Sequence, residues 1–129
     1  MESAKRIPPG ADQPAGDTPY SQVLEIVCSK LVVISGQVAE DEEENILGED
    51  IKTQTRYALE NCKRRLASAD CTFADVFKTA IYLRNTEDWA AMNEVYTAMM
   101  PIPRPVRTAI QTDLLPGYLI EIEMWAAKK

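Results

Sequence analysis

Histidine is absent from this chain of 129 residues. That removes Ser-His-Asp and Cys-His nucleophilic catalysis, any imidazole general base and most zinc sites. Cysteine is scarce, with Cys28, Cys62 and Cys71 forming an odd set without CxxC spacing. Such a set reads as reduced thiols and leads us to expect a cytoplasmic protein. Glycine-rich phosphate loops of the GxGxxG and P-loop kinds are missing, as is any cysteine–histidine cluster. Neither a cofactor nor a metal is therefore expected. Apolar runs stop far short of the roughly 18–20 residues a membrane span requires. The start, Met1-Glu2-Ser3-Ala4-Lys5-Arg6, meets Pro8-Pro9 rather than an apolar signal region. Positive charge is also short: the net charge is −6, and the densest basic cluster is Lys63-Arg64-Arg65. Without a basic stripe to neutralise phosphates, a nucleic-acid partner is not expected.

What is present is an ordinary globular composition, 46% hydrophobic and 26% charged, sized for one domain over residues 1–129. Prolines and glycines make residues 1–18 an irregular lead-in, with a short edge strand around Lys5-Ile7. Loose alternation from Tyr20 to Ile26 fits a strand. The apolar run Leu31-Val32-Val33-Ile34, ending at Ser35-Gly36, fits a strand buried on both faces. Cys28-Ser29-Lys30 is the turn between these two. The acidic run Glu40–Asn45 reads as a solvated loop, because it lacks the spacing of a calcium loop.

A helix is expected from about Asp50 to Ala69, since Ile51, Thr55, Ala58, Leu59, Cys62 and Leu66 form one apolar stripe. Acidic residues open it and the basic cluster closes it, as the helix dipole favours. Cys62 lies on that stripe and reads as core filler. Val76–Leu83 alternates as a strand, with Phe77, Thr79, Ile81 and Leu83 on one face and Val76, Lys78, Ala80 and Tyr82 on the other. A second helix spans about Glu87 to Met99, with Thr86 as N-cap and Trp89, Met92, Tyr96 and Met99 as its buried stripe. Pro101, Pro103 and Pro105 then enforce an extended connector. Strands at about Arg107–Thr112 and Tyr118–Trp125 follow, separated by Pro116-Gly117. The order β-β-β-α-β-α-β-β predicts an α+β fold with two helices on one sheet face.

Chemistry must then come from carboxylate, arginine, hydroxyl, thiol or backbone groups. Arg107 opens a strand behind a stiff proline lead, and its planar fork suits a carboxylate. By position alone it also fits a surface arginine. In the last strand Glu121 and Glu123 share one face, with Ile120, Ile122 and Met124 on the other. That face is either solvated or, in an oligomer, covered, and a covered carboxylate could act as acid or base. Tyr20, Ser35, Gly36 and Asn93 complete the polar set, and each taken singly also has a plain structural explanation.

Several segments occur in one order: Pro19-Tyr20-Ser21-Gln22, Val33-Ile34-Ser35-Gly36-Gln37, Asp50–Arg56, Leu59-Glu60-Asn61, Asp75–Thr79, Asn93–Tyr96, Pro105-Val106-Arg107-Thr108, Leu115-Pro116 and Ile120–Glu123. Together, over roughly residues 19–126, they resemble the reactive-intermediate deaminase family (RidA, also called YjgF or L-PSP endoribonuclease-like). The resemblance implies a chorismate-mutase-like α+β fold assembled as a homotrimer, with active sites in the clefts between subunits. It implies hydrolysis of small enamine and imine acids, such as 2-aminoacrylate and its imine, to 2-oxo acids and ammonia. Arg107 matches the family's carboxylate-binding arginine, Glu121 its water-activating glutamate and Tyr20 its substrate-flanking tyrosine. Ser35 and Gly36 match its loop residues, while Asn93, Thr108 and Ala109 fall at substrate-binding positions. Many members carry cysteine where this chain has Ala109, and Met124-Trp125 replaces a small-aliphatic pattern. These departures leave open a specialised enzyme for a larger intermediate, or a trimer that binds a small carboxylate-bearing molecule without turnover.

Overall fold

A computed structural model describes residues 3–12 and 18–129. Within the expected irregular lead-in, positions 1–2 and 13–17 lie outside the described residues. Among the described residues six strands and two α-helices follow one another as β1 (Lys5–Arg6), β2 (Glu25–Ile26), β3 (Lys30–Gln37), α1 (Ile51–Ala67), β4 (Val76–Leu83), α2 (Trp89–Met99), β5 (Val106–Gln111) and β6 (Ile120–Lys128). Strands β1 and β2 form a small antiparallel pair. The main sheet has the order β3-β6-β4-β5, antiparallel except for the parallel β4/β5 pair that brackets α2. A parallel pair needs a crossover, and α2 supplies it. This is the expected α+β architecture.

Local chemistry explains the helix ends. Asp50 has extended backbone and accepts the Thr53 N–H at 2.8 Å, while Arg64 and Arg65 occupy the last turn of α1. Helix α2 starts later than the pattern predicts, after a 3-10 turn at Thr86–Asp88. Thr86 is not a side-chain cap; its own N–H donates to Gln111 Oε1 at 2.7 Å, so β5 satisfies the helix entry.

The core lies between the helices and one face of the sheet. Leu59, Cys62 and Leu66 of α1 and Met92 and Tyr96 of α2 meet Ile81, Leu83, Ile120, Ile122 and Met124, all fully buried. Each large side chain so buried contributes about 1.5–3 kcal/mol. Cys62 is core filler, its thiol pushed up to about 12 by burial.

Four expectations need correction. Strand β3 is not covered on both faces: Leu31 and Val33 are each 65% exposed, while Val32 and Ile34 pack on the core. The sheet thus presents an open face on which Val33, Trp125, Lys78 and Val106 fall by register. Val76 does not share a face with Lys78, because an irregularity between them turns Val76 into the core. The Tyr20–Ile26 strand shrinks to Glu25–Ile26, since Ser21 N–H donates to Pro105 O at 3.1 Å instead of entering a ladder. Trp89 leaves the buried stripe and is 38% exposed.

Candidate functional site: two half-sites on opposite faces

Arg107 enters β5 opposite Thr79, whose buried hydroxyl lies 2.8 Å from Tyr96 OH. Paired residues of adjacent strands share a face, so Arg107 lies on the helix side of the sheet, at the β5 edge. There its Nη1 donates to Asn93 Oδ1 at 2.8 Å and lies 3.9 Å from Met92 Sδ. Aromatic rings surround the guanidinium, with centroids 4.9 Å (Tyr96), 5.8 Å (Tyr20) and 6.0 Å (Trp89) from its Cζ. Burial depresses the Arg107 pKa, with Tyr96 and then Tyr20 opposing the shift. Among the described residues no carboxylate pairs with it. Asn93 fixes one nitrogen, leaving the rest of the fork for an anion.

Glu121 stands opposite Tyr82 in β6, between the buried Ile120 and Ile122, and so points to the open face. Its side chain crosses Gly36: a Cβ built there would lie 2.9 Å from Glu121 Cδ and 3.0 Å from Cγ. Gly36 needs to be glycine for that close approach. Ser35 and Gly36 do not end β3; they form the irregularity where its pairing with β6 shifts between Ile34 and Gln37. The neighbouring Glu123 accepts the Tyr82 hydroxyl at 2.6 Å, and that bond pushes the tyrosine pKa up.

One chain therefore brings together Arg107, Tyr20 and Asn93, and separately Glu121 and Gly36, with Ser35 preceding Gly36 in β3. It does not bring the two sets together: they occupy opposite faces of the sheet. Thr108 falls opposite Ala80 on the open face, whereas Ala109 falls opposite Ile81 and packs on the core. By periodicity alone Trp89, Met92 and Tyr96 form only a packing stripe. Their spacing around Asn93 puts all four on the α2 surface facing Arg107, which was the available signal.

The endoribonuclease L-PSP family model matches residues 10–128. The chain belongs to this family. A RutC family protein of Pyrococcus horikoshii is 40% identical over 121 residues, covering 92% of this chain and 93% of that protein. Among solved structures, RidA from an Antarctic Psychrobacter species is similar at TM-score 0.73 and 33% identity, covering 90% of this chain and 94% of that one. A Rid family protein of Yersinia pestis is similar at TM-score 0.77 and 29% identity, covering 97% and 99%. These likenesses agree with the α+β fold described above. Among the described residues no helix is long and apolar enough to cross a membrane.

Proposed function

We propose that this family member hydrolyses small enamine and imine acids of the 2-aminoacrylate type to 2-oxo acids and ammonia. The half-buried Arg107 guanidinium, ringed by aromatics and without a carboxylate partner among the described residues, is the observation that carries the reading. Such a charge is costly to desolvate unless an anion completes it. The substrate carboxylate would take the free edge of the fork, with the Ala109 backbone N–H as a second donor. The Tyr20 ring would flank the bound acid.

Glu121 would come from a neighbouring subunit, because its own chain holds it on the other face. Arg107 and Glu121 lie on different patches, and we take their meeting to be a head-to-tail contact within a closed ring. We take that ring to be a homotrimer. The exposed Leu31 and Val33 on the open face support such a contact. There Thr108 would face the adjoining subunit, and Ser35 would line the cleft beside Glu121.

The chemistry needs neither metal nor imidazole. The enamine first tautomerises to the imine. Glu121 takes a proton from water as its oxygen bonds the imine carbon, and the C=N π pair moves to nitrogen. Protonated Glu121 then gives that proton to the carbinolamine nitrogen. Glu121, again a carboxylate, carries the hydroxyl proton to that nitrogen as the C–N bond breaks and the oxygen pair forms the carbonyl, leaving a 2-oxo acid and ammonia. Orientation by Arg107 supplies the rest.

Release of the 2-oxo acid from 2-aminoacrylate made in situ by a pyridoxal-phosphate-dependent lyase tests the proposal. Acceleration by the protein is expected; none would overturn it. A second reading, a larger acid, is favoured by the exposed Trp89 beside Arg107 and by the small side chain of Ala109. Ammonia release across a panel of imino acids separates the two. The family description names RNA cleavage, but the net charge of −6 offers little to a phosphate backbone.

A further inference from the structure

Arg104 is only 7% exposed, yet it lies three residues before Arg107 and makes no ion pair with a described carboxylate. Its guanidinium serves backbone carbonyls instead. Nη1 donates to Thr18 O at 3.0 Å and Nη2 to Thr97 O at 3.1 Å. Thr97 belongs to the last turn of α2, where carbonyls lack helical partners and a cation opposes the dipole. The Arg104 carbonyl in turn accepts the Ser21 hydroxyl, and Pro105 O accepts the Ser21 N–H at 3.1 Å.

These bonds tie three segments at one point. Residues 18–21 carry Tyr20, α2 carries Trp89, Asn93 and Tyr96, and the connector leads into β5 and Arg107. Tyr20 sits between Thr18 and Ser21, both anchored to residues 104–105, so the backbone that presents its ring to the Arg107 guanidinium is held on both sides. These bonds place the segment 18–21 against the site although it joins no ladder.

We propose that Arg104 is a positioning residue of the Arg107 half-site: by stapling residues 18–21 to the end of α2, it holds Tyr20 against the guanidinium and thereby sets affinity for the carboxylate. The proposal rests on the reading of Arg107 as carboxylate anchor. Arg104 does not touch the substrate, and Glu121 lies on the other face, so its effect should fall on binding rather than on the chemical step.

The test compares wild type with Arg104→Met, which keeps length but loses the donors, and with Arg104→Lys. Three quantities are read: KM and kcat on 2-aminoacrylate, Kd for pyruvate as the probe 2-oxo acid, and hydrogen exchange of the Ser21 amide. Arg104→Met should raise KM and pyruvate Kd roughly tenfold, leave kcat within about twofold and expose the Ser21 amide. Arg104→Lys, with one ammonium for two carbonyls, should recover part of the affinity. Adding Tyr20→Ala to Arg104→Met should cost nothing further, because both act through one ring. Unchanged KM, or additive effects of the two substitutions, overturns the proposal. Should Arg104→Met not fold, Ser21→Ala replaces it: raised KM at constant kcat supports the staple, and unchanged KM overturns it. If wild type neither binds pyruvate nor accelerates the reaction, the functional reading has failed. The staple is then judged on exchange alone: loss of Ser21 protection in Arg104→Met supports it, and retained protection refutes it.

Discussion

Around Arg107 the chain supplies a finished enclosure, whereas around Glu121 it supplies little more than clearance. Tyr20, Trp89 and Tyr96 wall the guanidinium, Asn93 holds one nitrogen and burial strips its water. Glu121 has Gly36 pressed beneath it and an uncovered sheet face in front. The difference follows from chemistry. An anchor must be rigid and partly dry before the ligand arrives, or its charge stays with solvent. A water-activating carboxylate can be finished by assembly, when another surface covers it. Under the proposed function, the fold would meet both needs by putting them on opposite faces of one sheet.

That contrast predicts how substitutions divide. The largest loss is expected for Glu121→Gln, which should lower kcat about a thousandfold while KM changes little, since the acid–base group is removed and the anchor kept. A matching rise in KM would place Glu121 in binding. Arg107→Ala should act the other way, raising KM on 2-aminoacrylate roughly a hundredfold through loss of the charged fork. Retained affinity would remove Arg107 from the site. Gly36→Ala should push the Glu121 carboxylate aside and lower kcat roughly tenfold, with pyruvate Kd unchanged. Unaltered kcat would show that the clearance under Glu121 has no role in catalysis.

The smallest effect concerns stability on the anchor side. Lys5 is buried, donates to Val76 O at 2.6 Å and Pro103 O at 2.8 Å, and has its pKa pushed down to about 8 by burial, against the opposing pull of Asp75. Between about 8 and the usual 10.5 the unfolded chain keeps a proton that the folded chain has released, so stability rises with pH across that window. Below it both states hold the proton, and the folded state carries the full cost of the buried charge. Thermal melts should therefore show wild type gaining on Lys5→Met as pH rises from 8 to 10. A constant difference between the two would contradict this.

Periodicity in the sequence was enough to find both helices, the four sheet strands and the alternation that aims Glu121 away from Ile120 and Ile122. It failed at β3, where Leu31 and Val33 are as apolar as core residues but face outward. Hydrophobic patterning reports that a face will be covered, not by which chain. It failed again at Trp89, which keeps helical spacing yet sits over Arg107 instead of in the core. Arg107 and Glu121 stand out as candidates through the family's ordered segments. Their separation does not, because opposite faces follow from the register of β4 with β5 and β6, which depends on long-range pairing. Arg104 left no sequence signal; its importance lies in carbonyls of Thr18 and Thr97 brought to it by folding.

The central claim is that Arg107 of one subunit works with Glu121 of another. Mixing the two single variants, Arg107→Ala and Glu121→Gln, in equal amounts and reassembling them tests it most directly. In a head-to-tail ring about a quarter of the clefts then pair an intact arginine with an intact glutamate. The account predicts recovery of about a quarter of wild-type activity from two nearly inactive proteins. If the mixture is no more active than its components, the site is built within one chain and the account is wrong.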